Sequence, residues 1–322
     1  MATREVFESR LQAAALLLPT VLVSAVFLYV PAVRAFELSL FEVAFGSGEA
    51  VFVGLENYRT LLTSPEYHQS VLLTVLFAVA VVVGVMAFSL LVSFLVHEVD
   101  IGRGMYLVSA VWPYALPPAV AGFVFSFLIH PDLGVLTQAI EPPYPTLGLL
   151  ERPFEALGVN VNITGPVEAL GVNVNWKTDG QQAFAVITIV AIWKQVGYNV
   201  IFMSASMNNI PGSLTETARL DGVGRLKRLL WVYVPIMSPM LAFLAVMNTI
   251  YAFFGTFAFV DVMTDGGPAG ATNILIFDLY RDALQNFEFG TASAKSVVLF
   301  LVVGALMYVQ FRVTEEYAYY GG

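Results

Sequence analysis

The chain has 322 residues, 58% hydrophobic and only 12% charged, with a mean hydropathy of +0.76 and a net charge of −9. A soluble domain carries roughly 25% charged residues, so the composition excludes an ordinary soluble protein and describes one that crosses a membrane repeatedly. There is no cysteine, which excludes disulfides and thiolate metal sites.

Six apolar runs are long enough to cross a hydrocarbon core about 30 Å thick. They are predicted near 12–33, 70–96, 105–130, 183–204, 233–260 and 294–313. Arg4 and Arg10 precede the first, as in a signal peptide. That run exceeds a signal peptide's apolar region and contains Pro19 and Pro31, so it reads as a retained span. The fold class is all-α integral membrane, divided as 1–69, 70–315 and 316–322: a first span with its outer loop, a core of five spans, and a tail. His68, His97 and His130 each sit near a span end and read as interfacial anchors.

Between the first two spans, Phe52–Pro65 mixes aromatic and charged residues and predicts a short interfacial helix. The segment 131–182 is the least span-like. In it E-A-L-G-V-N-V-N occurs twice, at Glu155–Asn162 and at Glu168–Asn175. Loops tolerate such insertions because few buried contacts cross them, so the copy marks a permissive loop, with a docking surface for an external partner as the alternative. Asn162-Ile163-Thr164 matches the short glycosylation acceptor pattern. Lys194 lies in the middle of the fourth span beside Trp193, Gln195, Tyr198 and Asn199. A charge at that depth is costly unless paired or hydrated; it either complements an anionic substrate or pairs with a backbone carbonyl. Tyr114, between Pro113 and Pro117, and Asn248, Thr249 and Tyr251 in the fifth span are further candidates for lining a path, or for holding helices together. Thr264–Thr272 reads as a turn, since Gly-Gly-Pro cannot continue a helix, and Asn273–Leu284 as an amphipathic segment.

Basic residues orient the chain. With the N-terminus inside, the inner segments hold Arg4, Arg10, Arg103, Arg219, Arg225, Lys227, Arg228 and Arg312, and the longer outer loops fewer. Both termini and the segment 205–232 are then cytoplasmic, and 16 of the 24 acidic residues fall in outer loops. An acidic exterior with four lysines against eleven arginines suits a salt-rich milieu that screens self-repulsion.

The inner segment after the fourth span, I-P-G-S-L-T-E-T-A-R-L-D-G-V-G-R-L-K-R, is more elaborate than a turn requires. Ser213 and Glu216 have capping-box spacing, Gly222 stands where a left-handed helix cap belongs, and Arg225, Lys227 and Arg228 open a second helix. Two short helices joined at a glycine form an element for something outside the membrane to grip.

This segment resembles the "EAA" motif of ABC importer permeases, here E-T-A-R-L-D-G followed by V-P-I-M-S-P. Asn57-Tyr58 after V-G-L-E, W-P-Y-A-L-P-P-A-V, W-K-Q-V-G-Y-N, Y-A-F-F-G-T-F and T-D-G-G-P-A-G-A-T are similar to the carbohydrate-uptake (maltose/glycerol-3-phosphate type) branch of that family. The Y-A-F-F and Y-R-D-A stretches resemble the A permease subunits of glycerol-3-phosphate importers. The resemblance implies that the hairpin seats in a groove of a cytoplasmic ATPase: Ser213, Glu216, Thr217, Ala218, Asp221 and Gly222 form the docking element, with Glu216 facing basic residues of the ATPase. Thr217 replaces the usual first alanine.

The family further implies a second permease, two copies of the ATPase and an external binding protein, with no nucleic acid. No G-x-x-x-x-G-K-[ST] loop occurs, so this chain does not itself hydrolyse ATP; the resemblance implies that ATP and Mg belong to the partner and that this chain carries no cofactor and no catalytic residues. A gradient-driven transporter or channel of six spans, and an integral-membrane enzyme, are the rival readings.

Overall fold

The structure, a computed structural model, describes residues 10–43, 50–140 and 175–317. The duplication (apart from Asn175) and the glycosylation pattern at Asn162 lie outside the described residues.

All six apolar runs are helical. Five are long helices: Ala14–Leu38, Pro65–His97, Gly180–Asn208, Ser238–Thr264 and Phe289–Thr314. The third run, expected as one span over 105–130, is instead two helices, Arg103–Ala115 and Pro118–Leu128, bent by 101° at the break. Two consecutive prolines cause it. Pro117 and Pro118 lack the N–H groups that would bond back to the carbonyls of Pro113 and Tyr114. The residue before them, Leu116, is forced extended at φ −70°, ψ 138°.

The chain forms two compact units. One comprises residues up to 67 together with 279–302. In it, Phe41–Val43 pairs antiparallel with Ala50–Phe52 in the register Phe41↔Phe52, a strand pair whose three-residue strands are too short to leave a sequence pattern. The expected interfacial helix forms over Glu56–Thr63. Its Asn57 amide donates to the carbonyls of Ser39 and Phe41 at 2.9 and 3.1 Å, and the Tyr58 hydroxyl donates to Ser39 Oγ at 2.7 Å. The Asn57-Tyr58 pair therefore knits this helix to the first strand and the residue that leads into it. A buried Lys295–Asp282 ion pair at 2.6 Å closes the unit.

The second unit comprises 68–278 and the residues from 303 on. Its helices approach closely at Gly197, where a Cβ would stand 2.8 Å from the Val111 carbonyl oxygen. Small residues at helix contacts let backbones close up in a membrane, where dispersion packing replaces the hydrophobic drive. Asp179 caps the 180–208 helix by accepting from the backbone N–H groups of Gln181 and Gln182. The Thr264–Thr272 stretch is a turn as expected, and after it Leu275–Tyr280 is helical. Asn273 donates to Ser70 Oγ at 3.0 Å, and the Leu275 N–H to Thr74 Oγ1 at 2.8 Å, so the turn is tied to the 65–97 helix.

Candidate docking hairpin and membrane-embedded polar groups

The segment after Asn208 folds into the two expected short helices, Gly212–Leu220 and Arg225–Arg228. The first begins differently from the capping-box expectation. Pro211 is the N-cap at φ −57°, ψ 129°, and no side chain caps the helix. Proline presets the backbone for a helix start, which leaves Ser213 two positions inside, too late to bond the next turn's free N–H groups. Thr215 Oγ1 donates to the Gly212 carbonyl instead, at 2.9 Å.

The other end is as expected. Gly222 has φ +74°. The Val223 N–H reaches the Ala218 carbonyl at 2.9 Å and the Gly222 N–H the Arg219 carbonyl at 3.1 Å, the paired bonds of a Schellman cap. Only glycine adopts this left-handed backbone without a Cβ penalty.

None of the nine residues of the first helix is buried. Ser213, Glu216, Thr217, Asp221 and Gly222 are exposed, Ala218 is half-buried, and Leu220 is 88% exposed. Short helices take most of their stability from packing an apolar face, and this one leaves its face unpacked within the chain.

The foot of the hairpin is anchored. Leu229, Tyr233 and Met237 join Phe94, Met203, Met207, Ile210 and Leu244 in one buried cluster, and the Tyr233 ring packs edge-on against Phe94 and His97. Beside it, Glu98 pairs with Arg219 at 3.1 Å, Arg228 at 2.5 Å and Arg225 at 3.9 Å. Sequence reasoning missed Glu98. Its one signal was topological, a carboxylate beginning the loop at the same end of the spans as the hairpin's arginines.

The path candidates divide into two kinds. Asn199 and Asn248, each fully buried, exchange amide hydrogen bonds at 3.0 and 2.8 Å. Gln195 adds a third bond, to Asn248, at 3.4 Å. Tyr251 donates to the Ala191 carbonyl at 3.0 Å, and Thr249 accepts from Gln310 at 2.8 Å. These side chains bond to one another and to backbone within the bundle. Lys194 donates to the Tyr114 carbonyl at 2.8 Å, with its ammonium 4.6 Å from the Tyr114 ring centroid. That carbonyl is one that Pro118 leaves without its helical partner. Lys194 thus caps the broken helix, where a cation is favoured. Tyr114 is 41% exposed and Tyr198 half-buried, their rings 5.4 Å apart, so these two present surface. Among the described residues, no group of three or more His, Asp or Glu is placed to hold a metal.

Apolar helices of span length, with an anchored polar hairpin left unpacked within the chain, define a multi-pass membrane protein. Residues 153–315 match the family described as "Binding-protein-dependent transport system inner membrane component". The chain is 33% identical to the sn-glycerol-3-phosphate transport system permease protein UgpA of Agrobacterium fabrum, over 98% of this chain and 99% of that one. It is 35% identical to the protein of the same name from Brucella abortus, over 95% of each. The chain belongs to this family of inner-membrane transport permeases. Its fold is that of a chain in the crystal structure of a bacterial ABC transporter involved in importing the acidic polysaccharide alginate, with a TM-score of 0.73 at 18% identity, covering 95% of this chain and 96% of that one. A second structure, of an alginate ABC transporter in complex with an alginate pentasaccharide-bound periplasmic protein, gives a TM-score of 0.70 at 19% identity, covering 93% and 92%.

Proposed function

We propose that this chain is the translocating subunit of an ATP-driven importer that moves a small carbohydrate-type solute inward, glycerol-3-phosphate first among the candidates. The hairpin carries the reading: an ordered element, capped by Gly222 and anchored at Tyr233, with no residue of its first helix buried. The basic residues on its side of the membrane favour a cytoplasmic hairpin and cytoplasmic termini. An ATPase there holds ATP and Mg, and each of two ATPase copies meets one permease. Six spans form half of a path, and a second, related permease supplies the rest. An external binding protein delivers the solute, a role supported by the periplasmic protein bound to the alginate transporter. ATP binding closes the ATPase pair, moves the Glu216–Gly222 element, and rocks the spans between outward and inward openings.

The substrate class rests on the relatives named for sn-glycerol-3-phosphate. Lys194, with its ammonium on the Tyr114 carbonyl, is a structural cap and not the phosphate ligand in this reading. A gradient-driven carrier would draw on the buried Lys295–Asp282 pair, but it has no use for the unpacked hairpin.

The test is co-purification and uptake. A tagged chain purified from the membrane of its own cell retains an ATPase, and uptake of glycerol-3-phosphate requires that ATPase. A chain that retains none, with uptake following an ion gradient, sinks the reading.

A further inference from the structure

Among the inner-side charges, Glu98 stands apart. It follows directly on the 65–97 helix, its N–H bonded to the Phe94 carbonyl at 3.1 Å, and its side chain is 9% exposed. Three guanidiniums converge on it, from both sides of the glycine break. Arg219 lies in the last turn of the first hairpin helix, while Arg225 and Arg228 begin and end the second. Arg228 is itself buried, with 6% of its side chain exposed and its contact the shortest, at 2.5 Å. Arginines that serve only to orient a chain remain solvated at the membrane surface; they do not share one buried carboxylate. The same end of the 65–97 helix is held twice more: His97 packs on Tyr233, and Arg103 donates both to His97 Nδ1 at 3.1 Å and to Asn208 at 2.7 Å.

We propose that Glu98 is a positioning residue that clamps both hairpin helices to the end of the 65–97 helix and passes a force on the hairpin into the spans. The Schellman cap closes the turn at Gly222, but no residue of the first short helix is buried against the second. A carboxylate bonded to both fixes the angle between them. Because Arg228 and Glu98 are desolvated, their pairing persists where an exposed pair would be screened by salt. The hairpin then moves as one body with the 65–97 helix. The proposal rests on the importer reading above.

The test uses the complete importer, with both permeases, ATPase and binding protein, reconstituted in vesicles, and measures solute moved per ATP hydrolysed. Glu98→Gln keeps the shape and removes the charge. It is expected to lower transport at least tenfold while hydrolysis changes less than twofold and no longer responds to the loaded binding protein. Glu98→Asp keeps the charge and is expected to recover at least half of the coupling. Glu98→Gln with transport and coupling within twofold of the parent overturns the clamp, and so does a Glu98→Asp as impaired as Glu98→Gln, which would assign the position to packing. Should Glu98→Gln fail to assemble, the double variant Arg219→Gln/Arg225→Gln serves. It alters side chains that are 56% and 78% exposed and leaves the buried pair intact. A severalfold loss of coupling there supports the clamp, and unchanged coupling overturns it. A parent chain that retains no ATPase defeats the importer reading itself, a result visible before any variant is made.

Discussion

The hairpin and the mid-bundle polar cluster are both rich in polar side chains, yet they meet opposite fates. Around Asn199 and Asn248 every amide finds its partner inside the chain, and both residues are fully buried. Along Gly212–Leu220 the backbone is satisfied but the side chains face outward, with no residue buried. Polar groups that answer one another belong to the fold, while an ordered polar surface left unpacked within the chain is the one the proposed function gives to a partner. By that measure Lys194, mid-span and charged, falls with the fold, since the Tyr114 carbonyl and ring receive it.

Four substitutions and one control can break or sharpen this contrast. The largest effect is expected from Glu216→Arg on the exposed hairpin. Like charges forced together across an interface cost several kcal/mol, so uptake falls at least about tenfold while thermal stability in detergent is unchanged. Normal uptake would remove Glu216 from the docking surface. Next, Asn199→Leu removes the two amide bonds that Asn199 exchanges with buried Asn248, at a cost of ~1–3 kcal/mol, read as a melting point several degrees lower. A normal melting point with altered solute selectivity would move this pair from the fold to the path.

Lys194→Met exposes the Tyr114 carbonyl's missing donor at ~1–2 kcal/mol. It is expected to lower the melting point and leave the KM for glycerol-3-phosphate within twofold. A large rise in KM at constant stability would restore the anion-binding role. Smallest is Ser213→Ala. A true N-cap loses ~1 kcal/mol on that change, but Ser213 sits inside the helix, so the cost is within ~0.5 kcal/mol, as for other surface positions. Gly222→Ala is the control at the other end, where left-handed backbone costs about 1–2 kcal/mol; it separates a cap that matters from one that does not.

Much of this was legible in the chain itself. Apolar runs of span length and a glycine followed by an extended basic helix are local signals, read within a single window. The hairpin's start was misread because Ser213 and Glu216 have the right spacing but Pro211 begins the helix before them. Consecutive prolines at 117 and 118 were visible, but a bend of 101° depends on where the freed Tyr114 carbonyl finds a donor, and that donor is 80 residues away. Glu98 illustrates the same barrier. Its partners are 121 and 130 residues distant, and no periodicity joins them. The 41–43 and 50–52 strands are too brief to alternate recognisably.

The Schellman cap at Gly222 carries one more consequence. By closing its own carbonyls, the hairpin reaches its final shape before any partner arrives. Ordering a floppy loop on association costs about 0.5–1.5 kcal/mol for each immobilised side chain, besides its backbone. Here much of that ordering was completed when the chain folded, so under the proposed function an ATPase would release and re-engage in each cycle without the hairpin first melting and reforming.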